Sequence, residues 1–299
     1  MKVAFFGLPM AALLLAGDGH EIVYAGICRT GAIGTRRLTR RLGPGRVFVK
    51  PNLGAAETVA RVKEAAPDLV VSWFWTTRIP MTLVDTAKHG GFGVHPSLLP
   101  RHRGPDPYFW AIDMGDAETG VTAHRLAADY DTGPMLDRRV LPIDPTWNAW
   151  TLAKKLDRPS LALLRETARA FAAGSPPAET PQDDARATAA PAPDEGMLEL
   201  RWTWPTERIV RRVRAAGPWP GAVTQVGDEE LVLARVAPVS DYPRALATGE
   251  CAVVGGAAIV RTSDGAVALV EGRNEGGRTL DKQALAALVG KMAKGESSS

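Results

Sequence analysis

Short hydrophobic runs alternate with amphipathic stretches through the first part of the chain. The runs Val3–Gly7, Glu21–Cys28, Arg46–Lys50 and Asp68–Trp73 have the length of buried strands, and valine is frequent in them. Between the last two runs, Ala55–Ala66 has the apolar spacing of a helix. This alternation predicts a parallel, doubly wound sheet, which would bind ligands at the carboxyl ends of its strands.

The same domain is predicted to continue through three more strands and a long helix. The strand-like runs are Gly91–His95, Val121–Leu126 and Met135–Ile143, and Thr146–Phe171 has helical spacing. We therefore predict a Rossmann-like α/β domain at 1–175.

A change of composition separates this domain from a second one. Proline and small polar residues dominate the predicted linker, 176–198, which would run extended over the surface. The domain after it, 199–295, opens with an amphipathic helix at Pro205–Ala216 and closes with a helix at Leu280–Met292. Between these helices lie short strand-like runs, at 222–226, 231–239, 251–262 and 266–272. They predict a small β-barrel (OB-like) C-terminal domain, followed by a polar tail at 296–299.

The composition of the 299 residues is that of a globular protein, 45% hydrophobic and 23% charged, with a formal net charge of +3. The overall charge therefore gives no indication of nucleic acid binding. No run of about 18 apolar residues is present, so we expect no membrane span, and the apolar start is too short for a signal peptide. Cys28 and Cys251 lie far apart and outside any metal-binding spacing, so we predict no metal site. They indicate no disulfide framework, which fits a reducing cytoplasm. The sequence does not predict the oligomeric state.

The stretch with the clearest chemical content lies between Gly91 and Leu136. His95 ends a predicted strand just before a proline-rich loop, and Asp131 lies in a polar turn. A carboxylate near a histidine can hold one tautomer, and such a pair suits proton transfer during acyl chemistry. Each residue also has a simpler interpretation, because a lone histidine at a strand end is more often structural and Asp-Thr-Gly is a common turn sequence.

Two linked blocks in this stretch carry a family resemblance. H-P-S-L-L-P-R-x-R-G begins at His95 and is followed by D-T-G at Asp131, and P-W-P-G lies at Pro218–Gly221. Together with Arg78-Ile79-Pro80, these motifs resemble the formyltransferases that use 10-formyltetrahydrofolate, over nearly the whole chain. The resemblance implies transfer of a formyl group from N10 of the folate to an acceptor amine.

The resemblance also implies roles for individual residues. His95 would help to move the proton of the amine and stabilise the tetrahedral intermediate, while Asp131 would orient His95. The pterin would lie against the backbone from Trp75 to Pro80 and near the loop at 127–131. The residues predicted to bind substrate or folate are Trp75, Arg78, Ile79, Pro80, Gly93, Ser97, His124, Ala127 and Thr132.

The chain departs from the family pattern at one catalytic position. The family has Asn-x-His, with the asparagine amide close to the formyl oxygen, whereas this chain has Gly93-Val94-His95. Losing one such donor typically costs about two to three orders of magnitude in rate. A donor from Ser97, Thr122, His124 or water, a changed one-carbon or acyl transfer, or a weak, degenerate enzyme would each account for the glycine. Because His95 and Asp131 remain while Gly93 creates space, we favour a repurposed enzyme.

The acceptor is expected to be a small-molecule amine, with a methionyl-tRNA formyltransferase as the alternative. Arg29–Lys50 contains seven basic residues and no acidic one, which would attract phosphates, although a solvated arginine-rich face is the simpler interpretation. A folate- or nucleotide-binding protein without transferase activity is a third hypothesis.

Trp73, Phe74 and Trp75 form an aromatic run, for which core packing is the default explanation. Strand alternation would send Trp73 and Trp75 to one face and Phe74 to the other. On this interpretation, one or more of the rings could shape the folate or acceptor site.

Overall fold

The computed structural model describes residues 1–227 and 229–292, so the predicted tail at 296–299 lies outside the described residues. Its contacts divide the chain into two compact units. The first comprises 1–107, 118–142 and 154–191, and the second comprises 108–117, 143–153 and the described chain from 192 onwards. The predicted limits of the domains and of the linker stay predictions.

A seven-stranded sheet forms the centre of the first unit. Its strands are β1 (Lys2–Gly7), β2 (Glu21–Ile27), β3 (Val47–Val49), β4 (Leu69–Trp73), β5 (Gly91–His95), β6 (Glu118–Arg125) and β7 (Met135–Pro142). They lie in the order β3-β2-β1-β4-β5-β6-β7, in which the first five are parallel and β6 and β7 are antiparallel to their neighbours. Every strand predicted for this region is present, with bounds close to the expected ones.

Helices connect these strands and follow them along the chain. They are α1 (Pro9–Gly17), α2 (Thr35–Leu42), α3 (Ala56–Glu64), α4 (Met81–Val84), α5 (Pro107–Asp113) and α6 (Ala149–Ala172). One core cluster includes Ala4, Phe6, Val70 and Leu83, from alternate positions of β1, from β4 and from α4. These strands are buried on both faces, which explains why they are continuous apolar runs in the sequence.

The order of the strands reverses at β1, which has β2 on one side and β4 on the other. The carboxyl ends of β1 and β4 therefore form a topological switch point, the place where open α/β sheets bind ligands. Gly7 ends β1 with φ +147°, and a Cβ atom there would lie 1.7 Å from the carbonyl oxygen of Trp73. Only glycine permits this close approach of the two strand ends.

A six-stranded antiparallel sheet characterises the second unit. Its strands are β8 (Ala222–Val226), β9 (Glu229–Val239), β10 (Cys251–Val254), β11 (Ala257–Arg261), β12 (Ala266–Asn274) and β13 (Thr279–Asp281), and its helices include α7 (Glu195–Leu198), α8 (Thr206–Ala216) and α9 (Lys282–Met292). The helix α8 buries Ile209 and Val213, as its spacing predicts. The predicted fold class, a Rossmann-like α/β domain followed by a β domain, is confirmed. Among the described residues, no helix has the length and apolar character needed to cross a bilayer.

Candidate active site

His95 stands at the carboxyl end of β5, between two neighbouring strands. Its ring is 7% exposed, and its Nδ1 atom lies 3.4 Å from Oδ2 of Asp131. Its other ring nitrogen, Nε2, lies 2.8 Å from the carbonyl oxygen of His102 in the loop that follows β5. The structure therefore brings together the histidine and the carboxylate that the sequence predicted as a pair.

Asp131 reaches His95 from the loop between β6 and β7. Its backbone is left-handed, with φ +57°, which is uncommon for residues other than glycine. Its Oδ2 atom accepts a hydrogen bond of 3.0 Å from the amide of Gly104, at the end of the loop after β5. The carboxylate thus contacts a backbone donor and an imidazole from the same loop region, and it stays 17% exposed.

His124 approaches the same carboxylate from β6. It lies directly opposite Gly93 in the antiparallel pair of β5 and β6, so both residues are on the same face of the sheet. Its Nε2 atom is 3.5 Å from Oδ1 of Asp131, and its Nδ1 atom is 2.9 Å from the Arg125 carbonyl oxygen. Burial lowers the pKa of His124, and the nearby Asp131 charge only partly opposes this effect.

The hydrogen-bond geometry assigns a tautomer to each histidine. The short contacts to carbonyl oxygens require an N–H donor, so neutral His95 carries its proton on Nε2 and neutral His124 on Nδ1. The bare nitrogens of both rings then face the two oxygens of Asp131. One additional proton would convert either contact into a charge-assisted hydrogen bond, so this cluster is suited to accept a proton.

Gly93 leaves room beside this cluster. A Cβ atom built on it would lie 3.5 Å from the Cβ and carbonyl oxygen of Ser72 and 3.6 Å from a methyl group of Leu126, which are ordinary contacts. The backbone is extended β-strand, so a side chain would cause no conformational strain. The first atom of a larger side chain therefore fits at this position, and its absence is not forced by packing.

Two predicted binding residues use their hydroxyl groups inside their own loops. Ser97 is fully buried, and its Oγ donates a hydrogen bond of 2.6 Å to the Arg101 carbonyl oxygen. The Oγ1 atom of Thr132 donates to the carbonyl oxygen of Asp129 at 3.1 Å. In addition, Thr122 donates to the carbonyl oxygen of Ser97 at 2.7 Å. These bonds fix the shapes of the two loops that meet at the central carboxylate.

The segment after β4 contains the first set of residues predicted to contact the pterin. Trp75 packs edge-on against Phe6, with ring centroids 5.7 Å apart. Within the described part of the chain, its Nε1 atom has no hydrogen-bond partner, and it is shielded from solvent. Ile79 belongs to the core cluster, and Pro80 is the residue that precedes α4.

Arg78 connects this segment to the second predicted pterin-contacting loop. The side chain is exposed, and its Nη1 atom donates to the carbonyl oxygen of Ala128 at 3.3 Å. Ala127, the neighbouring predicted residue, is half-buried. The two predicted segments therefore lie side by side, the first after β4 and the second in the loop between β6 and β7.

The prediction that Trp73 and Trp75 share one face of the sheet is wrong. The strand β4 ends at Trp73, whose Nε1 donates to Oγ of Ser160 on α6 at 2.7 Å. Phe74 has φ +57°, so the backbone leaves the extended conformation and the alternation of side chains stops there. Trp75 consequently packs with Phe6, on the opposite side from Ser160.

Sequence reasoning missed several residues that hold the site from outside its motifs. Gln182, in the predicted linker, donates from Nε2 to the carbonyl oxygens of Asp131 and Gly133, each at 2.7 Å. Thr188 accepts a hydrogen bond of 2.8 Å from the amide of His102. The only sequence signal was the density of polar residues in a segment without apolar period. In 1–227 and 229–292, no cluster of three or more His, Cys, Asp and Glu residues could hold a metal ion.

Family models match both parts of the chain. Residues 29–167 match the model described as "Formyl transferase", and residues 194–288 match "Formyl transferase, C-terminal domain".

Individual relatives and a solved structure agree with this match. The chain is 37% identical to a methionyl-tRNA formyltransferase of Geobacter sulfurreducens over 183 residues, which cover 60% of this chain and 57% of that protein. It is 34% identical to one of Roseiflexus sp. over 281 residues, covering 89% of this chain and 83% of the relative. The structure of HypX from Aquifex aeolicus in complex with tetrahydrofolic acid superposes with a TM-score of 0.67 at 20% identity, covering 99% of this chain and 48% of HypX.

Proposed function

Because this chain belongs to the formyl transferase family, we propose that it transfers a formyl group from 10-formyltetrahydrofolate to the amine of a small-molecule acceptor. The observation that carries this proposal is the contact of 3.4 Å between His95 Nδ1 and Asp131 Oδ2 at the carboxyl end of β5. Both groups belong to the motifs that define the resemblance. Formation of the new amide requires the attacking amine to lose a proton, and a histidine beside a carboxylate is a suitable acceptor.

The proposed role of the cluster is to take up that proton. In the assigned tautomers, the bare nitrogens of His95 and His124 both face Asp131. A proton that binds either nitrogen would therefore form a charge-assisted hydrogen bond to the carboxylate. Asp131 stabilises the imidazolium form of His95, in which the protonated Nδ1 faces the carboxylate. Burial lowers the pKa of His124 and favours its neutral form, whose bare Nε2 donates no hydrogen bond to Asp131, so we assign the proton-accepting role to His95. Ser97 and Thr132 are assigned to holding the loops.

The residues present fit a folate. When bound, 10-formyltetrahydrofolate would supply the formyl carbon. The buried Nε1 of Trp75 has no partner among the described residues, and a pterin offers ring nitrogens and a carbonyl as acceptors. We propose that Trp75, Arg78, Ile79, Pro80 and Ala127 hold the pterin close to the switch point of the sheet.

A small acceptor is favoured by the space at Gly93. The family's asparagine amide is missing there, and the nearest atoms to a Cβ built at this position, from Ser72 and Leu126, are at ordinary contact distances of 3.5 to 3.6 Å. We propose that part of the acceptor, or a water molecule bound with it, occupies this space and supplies the donor for the formyl oxygen.

Replacing the central pair tests the proposed chemistry. We expect His95→Asn and Asp131→Asn each to lower the turnover number by at least about a hundredfold, because each removes a member of the proton-accepting pair. Formation of tetrahydrofolate and of formylated product would be followed with amino acids, amino sugars, polyamines and methionyl-tRNA as acceptors. His89→Gln, at an exposed histidine, serves as the control.

Three outcomes would contradict this proposal in different ways. Unchanged turnover in both variants would show that His95 and Asp131 do not accept the proton of the amine. Tight folate binding without turnover on any amine would indicate the non-catalytic folate-binding protein. Release of formate without any amine would indicate a hydrolase.

A second candidate function, formylation of methionyl-tRNA, is favoured by α2. Arg36, Arg37 and Arg40 are exposed on this helix and have no acidic partner among the described contacts, while Arg41 donates to the carbonyl oxygen of Ala16 at 2.7 Å. A helix with this charge would attract a phosphate backbone. The names of both relatives agree with this acceptor.

Neutralising this helix separates the two acceptors. If tRNA is the acceptor, changing all four arginines to glutamine should weaken tRNA binding and reduce its salt dependence, since each lost phosphate contact lowers the slope by about 0.7 to 0.9. The pair Lys154→Gln and Arg158→Gln, exposed on α6, is the matched control. No tRNA binding by the unmodified protein in a filter-binding assay would exclude this second function.

A further inference from the structure

We propose that the segment Thr180–Ala190, which we call the strap, positions the catalytic centre. It fixes the backbones of Asp131 and His102, the two residues that contact the ring nitrogens of His95. This inference rests on the proposed function, and it assigns a role to a segment that the sequence presents as a linker.

Gln182 binds the Asp131 loop through both protons of its side-chain amide. Its Nε2 atom donates to the carbonyl oxygen of Asp131 and to that of Gly133, each at 2.7 Å. The two acceptors flank Thr132, so one amide group fixes both ends of the turn that presents the carboxylate. Rotation of this turn would move Oδ2 of Asp131 away from His95.

Arg103 fixes the amide of Gln182 in turn. Its guanidinium donates to Oε1 of Gln182 from Nε at 3.0 Å and from Nη2 at 2.8 Å, and Nη2 also donates to Asp184 Oδ1 at 2.7 Å. A planar guanidinium that binds one oxygen through two donors leaves the amide little freedom to rotate. Because Oε1 is occupied by Arg103, the NH2 group of Gln182 must face the two carbonyl oxygens.

Thr188 has the corresponding role for the loop after β5. Its Oγ1 atom accepts a hydrogen bond of 2.8 Å from the backbone amide of His102, and its own amide donates to the Pro100 carbonyl oxygen at 3.3 Å. The carbonyl oxygen of His102 is the acceptor for Nε2 of His95 at 2.8 Å. Thr188 therefore holds His102, the residue whose carbonyl oxygen sets the tautomer of His95.

The two residues held by the strap share an unusual backbone. Asp131 has φ +57° and His102 has φ +60°, a left-handed conformation that is unfavourable for residues with a Cβ atom. Such strained conformations persist only where contacts with the surrounding structure hold them, and they are frequent at functional sites. The strap holds both residues in this conformation, since Gln182 donates to the carbonyl oxygen of Asp131 and Thr188 accepts from the amide of His102.

Backbone contacts at its two ends hold the strap itself in place. Thr180 and Met135 exchange two hydrogen bonds of 2.8 Å, and the amide of Ala190 donates to the carbonyl oxygen of Arg103 at 2.6 Å. At Gly104, with φ +125°, a Cβ atom would lie 2.7 Å from the carbonyl oxygen of Ala190. Glycine is therefore required where the strap passes the loop that donates to Asp131.

The variant Gln182→Glu tests the strap with little change of shape. It keeps an oxygen for Arg103 but replaces the donor to the two carbonyl oxygens by an acceptor. We expect the turnover number to fall by at least about tenfold, with the KM for 10-formyltetrahydrofolate changed less than about twofold, because the catalytic carboxylate moves while the folate contacts remain. Arg186→Ala, at an exposed strap residue, is the matched control and should behave as the unmodified protein.

Thr188 provides a second test that does not depend on Gln182. Thr188→Val keeps the shape but removes the acceptor for the His102 amide, and should lower turnover in the same way. Thr188→Ser keeps the hydroxyl and should restore it. Full activity in both Gln182→Glu and Thr188→Val, with folding confirmed by circular dichroism, would overturn the proposal.

A spectroscopic measurement separates this inference from the proposed function. The chain has five histidines, so their ring nitrogens can be followed individually by NMR of histidine-labelled protein without any substrate. We expect the His95 ring signals to shift in Gln182→Glu and Thr188→Val, and to stay in place in Thr188→Ser and Arg186→Ala. If the unmodified protein transfers no formyl group, the proposed function fails while these signals still test the strap. Unshifted His95 signals in the first two variants would remove the positioning role.

Discussion

At the scale of single residues, the proposed chemistry depends most on the surroundings of Gly93 and His124. They face each other across the antiparallel pair of β5 and β6, on the side where Asp131 approaches. The resemblance implies that the glycine stands where an asparagine amide would lie beside the formyl oxygen, and His124 places its Nε2 atom 3.5 Å from the carboxylate. A change of hydrogen-bond donors beside the formyl oxygen would therefore have a large effect on the rate.

Restoring the family side chain is the sharpest test at this scale. We expect Gly93→Asn to raise formyl transfer to a simple amine by at least about tenfold, because it supplies a donor whose loss typically costs two to three orders of magnitude. A Cβ atom at Gly93 meets its neighbours at 3.5 to 3.6 Å, so the variant should fold normally. Steady-state kinetics with a panel of amines would measure the change.

Gly91, in the same strand, provides the control for packing. A Cβ atom there would lie 2.8 Å from Leu126 and 3.0 Å from Val70, so Gly91→Ala should destabilise the protein without improving turnover. If Gly93→Asn instead abolishes transfer to the native acceptor, the space at this position belongs to that acceptor.

At the scale of elements, Asp18 joins the end of α1 to α6. Its carboxylate accepts hydrogen bonds from Arg165 Nε at 2.6 Å and Nη2 at 2.5 Å, and from Arg169 at 3.0 Å. The hydrogen bond from Arg165 is the main cause that lowers the pKa of Asp18 from 3.8 to about 2. A carboxyl group whose folded-state pKa is depressed adds stability above its unfolded pKa, and this stability is lost as the pH falls towards the folded value.

We therefore expect Asp18→Asn to lower the free energy of unfolding by ~1–2 kcal/mol at neutral pH, since solvent partly screens the arginines. The difference from the unmodified protein should disappear as the pH falls from about 4 to about 2, the interval between the two pKa values. Urea unfolding of both proteins, measured across this pH range, would show how the difference in their free energies of unfolding changes. Asp85→Asn, at an exposed residue after α4, should have no comparable effect, and an equal loss in both variants would contradict this account.

At the scale of the whole molecule, the second unit includes two short stretches from earlier in the sequence, 108–117 and 143–153. One of them contains Asp113, whose two carboxylate oxygens accept hydrogen bonds of 2.7 and 2.9 Å from Arg212 on α8. Arg212 is only 6% exposed, and its guanidinium also lies over the rings of Trp204 and Phe109. A buried pair of this kind becomes costly when one partner is removed, because the other charge is left without compensation.

Arg212→Met is expected to lower the free energy of unfolding by about 3 kcal/mol, measured by denaturant titration. Arg208→Met on the same helix removes an exposed arginine that stacks on Trp204, and should cost less than about 1 kcal/mol. Adding Asp113→Leu to Arg212→Met should recover more than half of the loss, because no charge is then left buried. Equal destabilisation by both arginine variants would show that the ion pair is not the cause.

The layers of the fold and its main chemical groups could be predicted from the amino-acid sequence. Strands buried on both faces must be apolar throughout, so the runs that form β1, β2 and β4 were visible without any structure. The motifs around His95 and Asp131 were likewise complete in the sequence, because the loops that carry them are local. The missing donor at Gly93 was visible for the same reason.

The contacts between residues remote in sequence could be seen only in the tertiary structure. The positions of Gln182 and Thr188 depend on the path of a polar segment with no apolar period, and hydrogen bonds to distant carbonyl oxygens leave no periodic signal in a sequence. A single left-handed residue, Phe74, placed Trp73 and Trp75 on opposite sides of the sheet, against the prediction. Local spacing determines secondary structure, whereas contacts between remote polar groups are fixed only when the chain has folded around them.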